Sequence, residues 1–343
     1  MPLALRRETL RLAETFTISR SSVDTQDVVV ATLDLDGVTA YGEGSPVSYW
    51  GESVDSMLDA LEQDGEYLLG RDPRDIEAVA RRLRAWDGPQ GAKQVLDGVV
   101  HDWVGKQFGQ PVWRVLGLDG VQPQTSFTIG MSDLADTVGK VRRAPGFDVY
   151  KVKVGGPGDL ERLEAIRGVT DARLRIDGNE GWSLQTAEEM LPHLVSLGVE
   201  FIEQPFPAAD RDSYLGYRKL PGRIPVLIDE GCKDLASVPD IAGYADGIVI
   251  KLAKCGGIRE ALRMVHTARA LDLQVMLGCM IESQLGIVEA AQLGSLADHV
   301  DLDGHLLITD SPFTGLGLTG GRVVLTDAPG LGVTPAAAKS RRE

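Results

Sequence analysis

Phe201-Ile202-Glu203-Gln204-Pro205 is a short apolar run that stops on a carboxylate, and the same phrase recurs at Arg175-Ile176-Asp177-Gly178-Asn179 and Leu227-Ile228-Asp229-Glu230-Gly231. Tyr150-Lys151-Val152-Lys153-Val154 and Gly247-Ile248-Val249-Ile250-Lys251 carry lysines at the same place. Strand-like runs end at Ile129, Lys153, Asp177, Glu203, Asp229, Lys251, Gly278 and Asp303, in steps of 22 to 27 residues. Between them lie segments of helical period, such as Leu160-Leu163-Ile166 and Ile258-Leu262-Val265. This rhythm predicts eight strand-plus-helix units and hence an α/β fold, a (β/α)8 barrel of the TIM type. The C-terminal ends of its strands meet at one mouth, so charge at six of those ends reads as chemistry.

The amino-terminal third has a different grammar. Val28 to Asp34 alternates strand formers, Asp36-Gly37 signals a hairpin, and Val38 to Gly42 returns, which predicts an antiparallel sheet. From Ser53 to Leu116 apolar residues recur at helical spacing. The expected organisation is an α+β capping domain over 1–120, a barrel over 121–312, and a segment over 313–343 that returns to the cap. Pro192 interrupts one helical pattern and predicts a helix that starts late or kinks there.

With 35 basic and 50 acidic residues the formal charge is −15, which argues against nucleic acid or an anionic membrane as partner. The only basic cluster is the short tail Lys339-Ser340-Arg341-Arg342. Cys232, Cys255 and Cys279 form no C-x-x-C pair, so neither a disulfide framework nor a cysteine zinc site is indicated, and a reducing cytoplasm fits. Met1 to Thr15 is charged and interrupted, unlike a signal peptide, and no apolar run approaches a membrane span.

Lys151 and Lys153 are two apart on a strand and point the same way; two ammonium groups held close depress each other's pKa, which makes a lysine usable as a base. Lys251 ends the sixth strand, four places around the ring from the second, so it faces Lys153 across the mouth. Asp177, Glu203 and Asp229 deliver three hard oxygen ligands from consecutive strands, a set suited to Mg2+ or Mn2+ rather than zinc. Asp301-Leu302-Asp303 puts two carboxylates on one strand face, suited to an ammonium group. An EF-hand is excluded because the twelfth position is Pro312. His299 and His305 bracket that pair and leave a transition-metal site as an alternative. Lys254 is expected to be a loop or helix-start charge, and Gly155-Gly156-Pro157-Gly158 a flexible turn rather than a phosphate loop. Taken singly, each charge could also be a solvated end, a helix cap or a structural ion pair.

As an ordered set, Lys151-Val152-Lys153, Asp177-Gly178-Asn179, Ile202-Glu203-Gln204-Pro205, Asp229-Glu230, Ile250-Lys251 and Met280-Ile281-Glu282-Ser283 resemble the muconate-lactonizing-enzyme subgroup of the enolase superfamily. Asp301-Leu302-Asp303 is similar to the mark of its dipeptide epimerases, of which the L-Ala-D/L-Glu type is best known. The resemblance implies Mg2+ held by Asp177, Glu203 and Asp229, with Asn179, Glu230 and Glu282 as candidates for the shell behind them. It implies that Lys153 and Lys251 invert the α-carbon of a dipeptide's second residue through an enediolate, with Lys151 in support. It implies that Asp301 and Asp303 hold the dipeptide's ammonium group and that Arg20, in a lid loop, takes an acidic side chain; Tyr49-Trp50-Gly51 lies on a second lid segment. Members of this family often form homo-oligomers. A cycloisomerase, an N-acylamino-acid racemase and an o-succinylbenzoate synthase stay open on the same fold, with a Schiff-base aldolase or a non-catalytic binding protein further away.

Overall fold

The computed structural model describes residues 3–70 and 72–337, so the basic tail at 339–342 lies outside the described residues. Three antiparallel strands open the chain, β1 (Leu3–Ile18), β2 (Ser21–Leu35) and β3 (Val38–Gly44), followed by α1 (Val54–Leu69), α2 (Ile76–Ala85), α3 (Gln90–Gln107) and the single turn α4 (Val112–Val115). Asp36 and Gly37 join β2 to β3 with φ of 51° and 77°, the left-handed pair that a tight hairpin requires. The long β1 was hidden in the charged amino terminus, and its pairing with β2 makes a ribbon whose tip carries Ser19 and Arg20. The expected lid loop is therefore the turn of a hairpin.

Strand β3 lies close on α3. A Cβ at Gly44 would fall 2.1 Å from the Gly91 carbonyl oxygen, and one at Gly42 would fall 2.2 Å from that of Val95, so only glycine permits this approach. Val29, Ala31, Leu33, Val95, Val99 and Trp103 fill the core between the sheet and the helices.

The barrel strands are β4 (Phe127–Ile129), β5 (Val149–Lys153), β6 (Arg173–Asp177), β7 (Val199–Glu203), β8 (Val226–Ile228), β9 (Gly247–Lys251), β10 (Gln274–Gly278) and β11 (His299–Asp301), all parallel and adjacent in chain order. A parallel bridge between Thr125 and Val300 closes the ring. The helices are α5 (Leu134–Arg143), α6 (Asp159–Arg167), α7 (Leu184–Ser196), α8 (Arg211–Tyr217), α9 (Ser237–Ile241), α10 (Leu252–Cys255), α11 (Ile258–Ala270) and α12 (Gln284–Ala291). Helix α7 begins at Leu184 under a Ser183 cap and runs through Pro192, so it does not start late. Arg175 and Phe201 plug the barrel interior, the guanidinium lying 5.2 Å from the ring centre and donating to Glu200 and Val300.

Four short strands follow, β12 (Phe313–Thr314), β13 (Gly317–Thr319), β14 (Arg322–Val324) and β15 (Thr334–Pro335). This segment meets the cap: Asp102 of α3 accepts from the backbone of both Tyr41 and Leu331 at 2.8 Å, and Phe313 packs edge-on against Tyr41.

Cap and barrel also meet through buried carboxyl groups. Glu43 of β3 accepts from the backbone and hydroxyl of Ser283, while Glu289 of α12 accepts from the Glu43 backbone at 2.9 Å. Burial pushes the Glu43 carboxyl up to about 8, with the Ser283 hydrogen bonds opposing and Glu282 reinforcing; burial likewise holds Glu289 well above the ordinary carboxylate range. A carboxyl whose folded pKa is raised contributes stability that is full below its unfolded pKa and is lost as pH rises through the folded value. Glu43→Gln is therefore expected to lose less melting temperature than the wild type between pH 5 and pH 9. The gap should correspond to on the order of 1 kcal/mol or more, and equal losses in thermal scans would refute it.

Candidate active site

Val152 packs into the barrel–helix core, which turns its neighbours Lys151 and Lys153 into the mouth. Lys151 is only 2% exposed, and its ammonium lies 2.7 Å from Glu203, 2.7 Å from Asp301 and 3.0 Å from Asp177. Burial alone would lower its pKa, but the charges of Asp177, Asp301 and Glu203 outweigh burial and hold it well above the ordinary lysine value. The depression expected from two neighbouring lysines is overridden there by surrounding carboxylates.

Lys153 donates to Asp177 at 2.6 Å and Lys251 to Asp229 at 2.8 Å, from strands β5 and β9 on opposite sides of the ring. Burial would lower the Lys251 pKa, but Asp229 raises it above the ordinary value. Asp229 stands one residue past β8, and Asp303 two residues past β11 rather than on the strand face. Both still reach the mouth, because Asp229 and Asp303 line the same cavity of about 370 Å3 as Lys151, Lys153, Lys251 and Asp301.

Lys254 stands at the start of a helix, as expected, but is buried and paired there. It sits in α10 at 1% exposure, with its ammonium 2.5 Å from Asp229 Oδ1 and donating to the Asp229 carbonyl as well. Its place one helical turn after Lys251 was the available signal. Burial would raise the Asp229 and Asp177 carboxyls, yet facing lysines keep both below the ordinary range. Glu203 differs: burial first, then the charge of Asp177, lifts it to about 8.

Among the described residues no three acidic, histidine or cysteine side chains already form a finished metal cage. The donor chemistry nevertheless fits a hard divalent cation. Asp177 and Glu203 are register partners on adjacent strands, Asp229 follows the next strand, and both buried carboxylate oxygens of Glu203 lack a hydrogen-bond partner. Lys151 alone does not satisfy that group. His299 cannot serve as a ligand as it stands, since Arg175 and Gln274 occupy its two ring nitrogens.

Asn179, Glu180 and Gln204 have φ of 41°, 66° and 36°, so strained backbone gathers where β6 and β7 end. Asn179 donates its backbone to Asp177 at 2.9 Å and its amide to Glu230 at 3.3 Å. Gln204 was missed as a positioning residue. Its oxygen accepts from the backbone of Asp229 at 2.9 Å and Gly231 at 3.2 Å, while its nitrogen donates to Phe206 and Tyr214. The glycine turn at 155–158 is pinned rather than loose, because Asp159 accepts from Gly155 at 2.9 Å and from Trp182 at 2.9 Å.

At the strand-11 side, Asp301 accepts from Lys151 at 2.7 Å and Ser126 at 2.5 Å, whereas Asp303 accepts from the Thr128 backbone at 2.6 Å. Burial and the Asp301 charge lift the Asp303 carboxyl to about 7. Arg20 reaches the mouth from the hairpin tip, 2.7 Å from Glu230 and 3.6 Å from Glu180, with Tyr49 under its guanidinium at 4.9 Å. Trp50 packs against Tyr49, and Glu282 is buried behind the cavity with its carboxyl raised by burial to about 7.

Gln204→Leu should expose the loss of two buried acceptor contacts and two donor contacts. We expect destabilisation of about 2–4 kcal/mol in urea unfolding, and an effect under 0.5 kcal/mol would remove Gln204 as the anchor of the Asp229 turn.

Comparison with known proteins extends this picture. The "Enolase C-terminal domain-like" family profile matches residues 133–339, and the "Mandelate racemase / muconate lactonizing enzyme, N-terminal domain" profile matches 3–117. The L-Ala-D/L-Glu epimerase of Bacteroides thetaiotaomicron is 37% identical, over 94% of this chain and 85% of its own. An L-Ala-D/L-amino acid epimerase of a Maribacter species is 36% identical over 97% and 99%. A dipeptide epimerase from Methylococcus capsulatus, solved with Mg and L-Arg-D-Lys, superposes with TM-score 0.90 at 30% identity, covering 97% of this chain and 98% of that one.

Proposed function

The chain belongs to the mandelate racemase/muconate lactonizing enzyme family of the enolase superfamily, and we propose that it is a Mg2+-dependent dipeptide epimerase. It inverts the α-carbon of the second residue, with L-Ala-D/L-Glu as favoured substrate. The observation that carries this reading is the opposition of Lys153 and Lys251 across one cavity, each held by a different carboxylate. A site built so can take a proton from one face of a carbon and return one to the other.

In its neutral form, one lysine breaks the Cα–H bond by accepting the proton, and the electron pair passes into the adjacent carboxylate. The opposite lysine, as ammonium, delivers a proton to the other face. The two lysines thereby exchange protonation states, and solvent resets them. Asp177, Glu203 and Asp229 would hold Mg2+, which supplies positive charge beside the carboxylate that receives that electron pair. Lys151 supports the same region by placing an ammonium among Asp177, Glu203 and Asp301. Asn179 and Glu230 position the ligand loops, and Glu282 backs the cavity wall.

Asp303 is the better free acceptor for the dipeptide's ammonium, because Asp301 already receives Lys151 and Ser126. Arg20 is the group for an acidic second residue, and such a side chain has to displace Glu180 or share the guanidinium with Glu230. No helix among the described residues is long and apolar enough to cross a membrane, and the three cysteines are free thiols, which supports a reducing compartment such as the cytoplasm.

In D2O with Mg2+, L-Ala-L-Glu should gain deuterium at the second α-carbon, and the signal should vanish with EDTA and return with Mg2+. Lys153→Ala and Lys251→Ala should each slow epimerisation by about a thousandfold; wild-type exchange in both would sink the two-lysine reading. Arg20→Met should lower kcat/KM for L-Ala-L-Glu by about 10 to 100-fold while sparing L-Ala-L-Leu, as measured by mass spectrometry. Equal losses on both peptides would remove Arg20 as selector. If Asp303→Asn leaves KM unchanged, a reaction without a free ammonium, such as N-acylamino-acid racemisation, becomes the better assignment.

A further inference from the structure

A second cavity of about 370 Å3 lies where the cap meets the outside of the barrel, walled by α2, α3, α10, α11 and the loop at 234–236. Lys93 of α3 lines it and is 9% exposed. The other buried lysines, Lys151, Lys153, Lys251 and Lys254, each face a carboxylate within 3.0 Å, whereas Lys93 has no hydrogen-bond or ion-pair partner among the described residues. Three of the acidic groups near it are committed elsewhere, while Asp87, which is exposed, supplies the largest share of the opposing charge. Asp97 accepts from the Ile258 backbone at 2.6 Å and faces His101 at 3.3 Å; Glu52 accepts from the Gln90 backbone at 2.6 Å; Glu260 holds Arg263 at 2.8 Å.

We propose that this cavity binds a small oxyanion, a phosphate or carboxylate group, with Lys93 as its central contact. Arg84, Arg259 and Arg263 line the same space and are pre-positioned by Glu77 and Glu260, and Gln90 adds an amide. Desolvation lowers the Lys93 pKa, only partly offset by Asp87, Glu52 and Glu260, so the partly buried ammonium has no counter-charge in contact with it. An anion there supplies that charge in a chain whose surface is otherwise acidic. The cavity also touches two catalytic segments from behind. Cys255 and Gly256 end the helix that carries Lys254, and Asp234 to Ala236 continue the loop that begins at Asp229. An occupied site braces both. The assignment is independent of the reaction proposed above.

The test is thermal unfolding and isothermal titration of the full chain with inorganic phosphate, sulfate and acetate at matched ionic strength. Wild-type protein should gain about 1–3 °C at phosphate about tenfold above its Kd. A response to phosphate and sulfate alone identifies a phosphate-type ligand, and an equal response to acetate identifies a carboxylate. Lys93→Met should fold, match or exceed the wild-type melting temperature in chloride, and lose the response, whereas Lys93→Arg keeps it. Arg263→Gln, on the opposite wall, should weaken phosphate binding several-fold and serves if Lys93→Met does not fold. Absence of any anion response in wild type, or a wild-type response in Lys93→Met and Arg263→Gln, overturns the proposal and assigns the anion to the catalytic mouth or to bulk screening.

Discussion

Everything at the barrel mouth follows from packing like charges together in a buried place. Asp177, Glu203, Asp229 and Asp301 are all buried there, and ionised carboxylates in such a place are tolerated only beside cations. Four lysines from β5, β9 and α10 meet that need unevenly. Asp177 and Asp229 each receive two ammonium groups, whereas Glu203 faces only Lys151 and keeps both oxygens free of hydrogen bonds. The uneven pairing divides the three acids into two held firmly ionised and one whose carboxyl rises to about 8. A divalent cation completes such a set, since one more positive centre is what the arrangement still requires.

The constraint also explains why so much structure is committed to the turns after the strands. Three non-glycine residues with positive φ occur at Asn179, Glu180 and Gln204, where a carboxylate must be turned inward instead of following the strand outward. Strain of this kind persists only when neighbours over-determine it. Gln204 supplies that determination by bonding to two backbone groups of the Asp229 turn, to the Phe206 carbonyl of its own loop and to the Tyr214 hydroxyl of α8. Asp159 does the equivalent for the glycine turn after β5, so glycine there permits a shape that hydrogen bonds then fix.

The barrel was legible because its period is written in strand-terminal charge, and charge at a strand end is a local signal. For Lys151 and Lys153 the inward direction follows from alternation once Val152 is assigned to the helix side. What escaped depends on approach through space. Lys254 reads as a loop or helix-start charge until α10 wraps it back onto Asp229, and β1 reads as a polar terminus until β2 pairs with it. The sign of the Lys151 shift was equally out of reach: its sequence neighbour is a lysine, but its spatial neighbours are three carboxylates from β6, β7 and β11.

Specificity rests on a different balance from catalysis. In the proposed reaction the lysines act on a carbon common to every dipeptide, whereas Arg20 belongs to the hairpin tip of the cap and reaches the mouth only because β1 and β2 extend beyond their own sheet. Its guanidinium is already drawn by Glu230 and stacked on Tyr49, so the free energy available for a substrate carboxylate is the difference between two ion pairs, not the whole of one. A small change in that difference alters which side chain is preferred without touching the proton-transfer groups. The cap can therefore change substrate while the barrel keeps its chemistry, provided that the hairpin still delivers a polar group beside Glu230.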